Sequence, residues 1–244
     1  MATKRHAILK TVLAGLPASA PVTMADLAEY GVSADLAVHY VRAGWLTRLE
    51  RGVFIRPGDT PSLYPSLRLL ERKLTGLHVG GKSALEWHGI RHYVSQQTTL
   101  HLYGWTAGRL PAWFTEKFPS GYHRKRLFEE RAETPLHVTR FAGDQTPLVS
   151  SPERALLELL SEVGVRQPMS EARELTESAH TLRASVLLDL LKHCTSVKTV
   201  RLCLTLGQEL SLPWARKLDP KQLPTGSDKP WVSRSREGTL VLKP

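Results

Sequence analysis

The segment GLHVGGKS opens at Gly76, closes on Lys82 and Ser83, and matches the G-x-x-x-x-G-K-S pattern of a phosphate-binding loop letter for letter. In such a loop, backbone amides cradle the phosphates, the lysine reaches the outer ones and the hydroxyl holds magnesium. That chemistry needs a buried apolar strand before the loop and a metal-binding acid at the end of another strand. Here the preceding LRLLERKLT is charged and helical in period, and Asp189 sits in helical surroundings. Leu77, His78 and Val79 have strand character where the loop should wrap phosphate. The residues predict a strand, a turn at Gly80 and Gly81, and a helix from about Lys82. A nucleotide-binding regulator built on this segment is the alternative function.

Other constellations are weaker. Glu86, His88 and His92 have a histidine spacing that can hold zinc on a helix, but Gly89 ends the helix between the two rings. Glu129, Glu130, Glu133 and Asp144 lack the strand and lysine that would assemble them as a nuclease cluster, and read as a solvated charged face. No serine or cysteine sits in a nucleophile elbow or beside a base. No catalytic residue, metal ligand or cofactor is therefore nominated, and the chain is not expected to be an enzyme. Trp87, Tyr93, Tyr103, Trp105 and Trp113 could stack on single-stranded bases. Core packing is the first expectation for such large side chains.

The elements that position chemistry most clearly lie in the first quarter of the chain. Thr23 and Asp26 have the spacing of a capping box, Leu27 supplies a buried face, and Gly31 stops that helix. Ser33 caps a second helix, with Leu36, Tyr40 and Val41 near one face and Asp35, Val38, His39 and Arg42 near the other. Gly44 ends it, and residues 45–49 and 53–56 form two strands around the turn Glu50-Arg51-Gly52, closed by Pro57 and Gly58. Upstream, Ile8, Leu9, Val12, Leu13 and Leu16 recur at helical spacing and supply a further helix for the core. This order is a winged helix-turn-helix, whose second helix enters the major groove of double-stranded DNA. The DNA-binding candidates are Ser33, Ala34, Asp35, Val38, His39 and Arg42 on that helix, with Arg48, Arg51 and Arg56 on the wing meeting phosphates or the minor groove. The reading set lacks Asn, Gln and Lys, so moderate sequence specificity is expected. A protein or RNA adaptor without operator binding would use the same fold.

The chain has 244 residues and a net charge of +10, room for more than one domain and a balance that suits a polyanionic partner. Residues 1–60 carry 7 basic and 5 acidic side chains, 61–150 carry 12 and 7, 151–210 carry 7 and 8, and 211–244 carry 7 and 3. Most of the excess thus lies beyond the winged helix. Cys194 and Cys203 both sit in apolar helical pattern, which argues against a disulfide framework. MATKRHAILK lacks the apolar core of a secretory leader, and no run reaches the ~18 apolar residues of a membrane helix, so a cytoplasmic location is expected.

The fold expected is α+β: a winged helix-turn-helix domain over residues 1–60, then a larger mixed domain over 61–244. Leu67, Leu70 and Leu74 predict a helix, residues 83–87 a short one, and residues 77–79, 98–103, 125–128 and 136–141 strands. Ser150 with Glu153 predicts a capping box, Pro152 fits its first turn, and helices follow to about Leu210. A basic tail over 211–244 ends in a possible strand from Thr239 to Leu242.

Several blocks, in order, resemble the AbiEi antitoxins of bacterial toxin-antitoxin phage-defence systems. They are GWLTRLERGVFIRPGD, LHVGGKSALEWHGIRHYV, LHLYGWTAGRLPAWF, VSSPERALLELL, SVKTVRLCLTLGQEL and REGTLVLKP. The resemblance covers nearly the whole chain and makes GGKS part of a family block not associated with nucleotide hydrolysis. It implies a winged helix that represses its own operon at inverted repeats. It also implies a C-terminal region that counters a nucleotidyltransferase-like toxin, directly or indirectly. No base-reading code carries over, so Asp35, His39 and Arg42 rest on helix geometry alone.

Overall fold

The apolar spacing that begins at Ile8 belongs to a helix that starts earlier, α1 (Ala2–Gly15), in the computed structural model, which describes residues 2–91, 99–129, 135–235 and 238–242. Two compact units are present: residues 1–74 with 108–119 and 140–147, and residues 75–107 with 120–139 and 148–244.

In the first unit α1 is followed by β1 (Val22–Thr23), α2 (Met24–Glu29), α3 (Ala34–Arg42), β2 (Thr47–Glu50), β3 (Val53–Ile55) and α4 (Leu63–Lys73). Thr23 caps α2 by accepting from the Asp26 amide, while the Asp26 carboxylate accepts from the Thr23 amide at 2.6 Å. Gly31 and Gly44, which follow α2 and α3, have φ of +78° and +74°, a left-handed conformation that a side chain would resist. Leu9 and Val12 of α1, with Leu16 just after it, pack with Leu27, Ala37, Tyr40, Leu46 and Phe54 in one buried cluster. The wing is a three-stranded antiparallel sheet in the order β1-β3-β2. Two-residue β1 has no periodicity to betray it; it exists because β3 offers a free edge, pairing Val22 with Phe54 and Thr23 with Val53. Leu67 and Leu70 of α4 are buried as their spacing predicts, and Leu69 joins them.

The second unit holds a five-stranded mixed sheet in the order β6-β5-β4-β8-β7 and a set of helices. In chain order its elements are β4 (His78–Val79), α5 (Gly81–Trp87), β5 (Leu100–Gly104), then, after α6 (Ala112–Lys117) in the first unit, β6 (Ser120–Arg124), β7 (Val138–Arg140), β8 (Leu148–Ser150), α7 (Pro152–Ser161), α8 (Met169–Ser178), α9 (Ala184–Lys192), α10 (Val197–Glu209), β9 (Trp231–Ser235) and β10 (Gly238–Leu242). The α+β class and the last strand agree with expectation.

Two details do not. The strand expected at residues 125–128 is displaced to the polar run of β6, which pairs in parallel with β5 from Leu100 opposite Ser120 to Gly104 opposite Arg124. Backbone pairing holds β6, whereas Leu127 and Phe128, which suggested a strand, are apolar because they are buried. The cap of α7 is Ser151, whose side chain accepts from the Arg154 amide. Ser150 ends β8, a strand that the sequence reading did not anticipate.

Every residue from Glu153 to Ser161 in α7 is buried, so its charged members must find protein partners. In α10, buried Arg201 fastens the tail by donating to the carbonyls of Thr225, Ser227, Lys229 and Leu242. Among the described residues no helix is long and apolar enough to cross a membrane.

Candidate nucleic-acid interface

Helix α3 separates its residues sharply. Ala37 and Tyr40 are buried and Leu36 and Val41 partly so, while Ser33, Ala34, Asp35, Val38, His39 and Arg42 are all exposed. Ser33 Oγ accepts from the Leu36 amide at 3.3 Å, and its β-region backbone marks it as the N-cap. At the other end the amides of Gly44 and Trp45 return to the carbonyls of Val41 and Tyr40, which fixes where the helix stops. The structure therefore brings Asp35, Val38, His39 and Arg42 together on one solvent-facing side, with Ser33 and Ala34 exposed at the N-terminal end of the helix. Trp45, read from sequence as the first wing residue, lies before β2 and is 43 % exposed at the end of this face.

The wing positions its arginines unequally. Arg48 and Arg51 are exposed, with Arg48 Nε donating to the Glu50 carbonyl at 3.2 Å. A register shift between Arg48 and Glu50 bulges β2, which increases local twist, and Gly52 takes φ +76° in the turn. Arg56 is half-buried, and its Nη2 donates to the Leu13 carbonyl at 2.6 Å, tying the end of the wing to α1. Arg56→Ala should accordingly lower stability by about 1.5–3 kcal/mol, the scale of a hydrogen bond from a charged donor. An unchanged denaturation midpoint would refute that structural role.

The acids near the wing are engaged. Burial opposes the Asp26 carboxylate, but hydrogen bonds from Arg72 and Thr23 prevail and hold its pKa down to about 2. Lys73 pairs with Glu50 at 2.6 Å.

In the second unit, the groups of the phosphate-loop pattern have protein partners. The Gly81 amide donates to the Glu158 carboxylate at 3.0 Å, and Lys82 is ion-paired with Glu171. Ser83 Oγ accepts from the His101 amide at 2.9 Å. Glu158 also accepts from His78 Nε2 at 2.9 Å, Ser150 Oγ at 2.9 Å and Arg154 Nε at 2.7 Å. Burial opposes its ionisation, yet the charges of His78 and Arg154 hold it down to about 2. Two carboxylates of the fold thus engage the Gly81 amide and Lys82, groups that the motif would turn toward phosphate.

His88 Nε2 donates to the Ser150 carbonyl at 2.9 Å, while His92 lies outside the described residues, as do Tyr93, Glu130 and Glu133. Glu129 and Asp144 fall in different units. Tyr103 is buried and stacks on His123 at 4.6 Å, a core role. Trp87, Trp105 and Trp113 are half-buried, and the Arg126 guanidinium lies 4.8 Å from the Trp105 ring centroid. Among the described residues no group of His, Cys, Asp and Glu could hold a metal.

Sequence reasoning missed one polar cluster. His101 Nδ1 lies 3.0 Å from His123 Nε2, and His123 Nδ1 meets Arg166 Nη1 at 3.2 Å. Burial, then the adjoining His123, pulls the His101 pKa down to about 4. No local signal could have found this cluster, because β5 and β6 bring its histidines together from 22 residues apart.

Comparison with known proteins supplies the remaining context. No curated protein matches the chain. A solved structure with the same fold is the crystal structure of the RV2827C protein from Mycobacterium tuberculosis: it is 17% identical, with a TM-score of 0.55 over 93% of this chain and 87% of that one. The family model for the N-terminal domain of AbiEi antitoxin transcriptional regulators matches residues 5–96. A second model, described as "Transcriptional regulator, AbiEi antitoxin, Type IV TA system", matches residues 97–243. With both models matched end to end, the chain belongs to the AbiEi antitoxins, transcriptional regulators of type IV toxin-antitoxin systems.

Proposed function

We propose that this antitoxin represses its own operon by laying α3 in the major groove of inverted repeats, with Arg48 and Arg51 of the wing on flanking phosphates. The observation that carries this reading is the exposed stripe Asp35, Val38, His39 and Arg42 on a helix whose opposite side is buried and whose two ends are capped. In the major groove, where all four base pairs differ, Arg42 has the donors for a guanine edge and Asp35 the acceptor for a cytosine amine. His39 can donate or accept once. Ser33 and Ala34 bring the positive end of α3 and its free amides toward a phosphate.

We assign to the second unit the neutralisation of a nucleotidyltransferase-like toxin in the cytoplasm, as part of phage defence. Family membership supports this role. Co-purification of toxin and antitoxin, with and without nuclease treatment, tests whether the two meet directly or through RNA.

The test of operator reading is a binding-site selection with the wild type, Arg42→Ala and His39→Ala. Each variant should lose preference at defined positions, by about 1–3 kcal/mol for a contact of good geometry. Identical selected sites for all three proteins would exclude α3 as the reader.

A further inference from the structure

Among the exposed residues of α3 one is chemically out of place. Val38 is 46 % exposed at the centre of the stripe, flanked by Asp35, His39 and Arg42. Valine is a poorer helix former than alanine because its branched side chain loses rotamer freedom against the preceding turn. Nearly half of its surface is nonetheless left uncovered within the unit. That uncovered apolar surface has its use at the interface.

The rest of the helix says what that use is. Adenine is read in the major groove chiefly by Asn or Gln, and α3, ADLAVHYVR, contains neither. Asp35 and Arg42 have the groups for cytosine and guanine. The apolar feature that marks an A·T pair in that groove is the thymine C5-methyl group, a knob that an apolar side chain contacts favourably. Resting on the operator-binding reading above, we infer that Val38 reads the C5-methyl of a thymine in each half-site, so that apolar contact at Val38 selects A·T at that position. The operator then carries a required T·A or A·T pair next to positions chosen by Arg42 and His39.

The test uses the full-length protein and synthetic duplexes of its own promoter, with single thymines replaced by uracil, which lacks only the methyl group. Binding is followed by fluorescence anisotropy for the wild type, Val38→Ala and Val38→Thr. Uracil at one position per half-site should weaken the wild type about three- to five-fold, the worth of one buried methyl-sized group. Val38→Ala should bind thymine and uracil duplexes equally, and Val38→Thr, which keeps one methyl, should retain part of the discrimination. Specific binding with no uracil-sensitive position, or a uracil penalty that persists undiminished in Val38→Ala, would overturn the inference and leave the repressor reading intact. Failure of the wild type to bind its promoter specifically would overturn both.

Discussion

Replacing Glu158 by alanine will cost the protein about 3–5 kcal/mol of folding stability, the usual loss when one member of a buried ion pair is removed. The carboxylate receives bonds from His78 at 2.9 Å, Gly81 at 3.0 Å, Ser150 at 2.9 Å and Arg154 at 2.7 Å. Without it Arg154, itself buried, keeps a bond to the Leu136 carbonyl at 2.7 Å and its place over the Phe128 ring, but its Nε loses the carboxylate it donates to. Glu158→Gln keeps the shape but turns an amide donor toward a site filled with donors, so it should be nearly as harmful. Chemical denaturation measures both. A midpoint for Glu158→Ala within about 1 kcal/mol of wild type would show that the network is not a keystone of the second unit.

The same group sets an acid limit. Its folded pKa, about 2, lies below its ordinary value of 4.5. Its contribution to stability is therefore fully present above the unfolded pKa and fades as pH falls from there toward 2, because the unfolded chain binds the proton first. Stability of the wild type should decline through this window, and Glu158→Gln should decline less steeply.

The second large effect concerns DNA. The double variant Arg48→Ala, Arg51→Ala should lower the slope of log affinity against log salt by about 1.8, since each phosphate contact contributes about 0.9. From a common value at 1 M salt, that slope corresponds to roughly thirty-fold weaker binding at 0.15 M. The loss should be alike for operator and unrelated duplexes, because phosphate contacts carry no sequence information directly. Both arginines are exposed on the wing and neither is in the first unit's buried cluster, so thermal stability should be almost unchanged. A double variant with wild-type affinity and slope would place the DNA elsewhere than on the wing.

The first unit was largely legible. Thr23 with Asp26, Ser33, Gly31 and Gly44 act on backbone groups a few residues away, so their spacing alone announces where α2 and α3 start and stop. The two faces of α3 follow from helical period. Arg56 was legible as a wing residue but not as a partner of Leu13, because a carbonyl 43 residues away leaves no mark on its neighbours. In the second unit the strand before Gly80 and the helix after it were readable, whereas β8 and the true range of β6 were not. Short strands in a mixed sheet are selected by which edge is free to pair, and that is a property of the assembled sheet.

The segment GLHVGGKS marks the division between the two kinds of information. By itself the sequence determined the winged helix, the exposed stripe of α3 and the absence of a suitable strand before the phosphate-loop pattern, because each depends on caps, periods and turns within a short window. Only the tertiary structure decided what the Gly81 amide, Lys82 and Ser83 bind: Glu158, Glu171 and the His101 amide. Those partners lie 77, 89 and 18 residues away along the chain, and burial of α7 obliges Glu158 to find donors wherever the fold brings them.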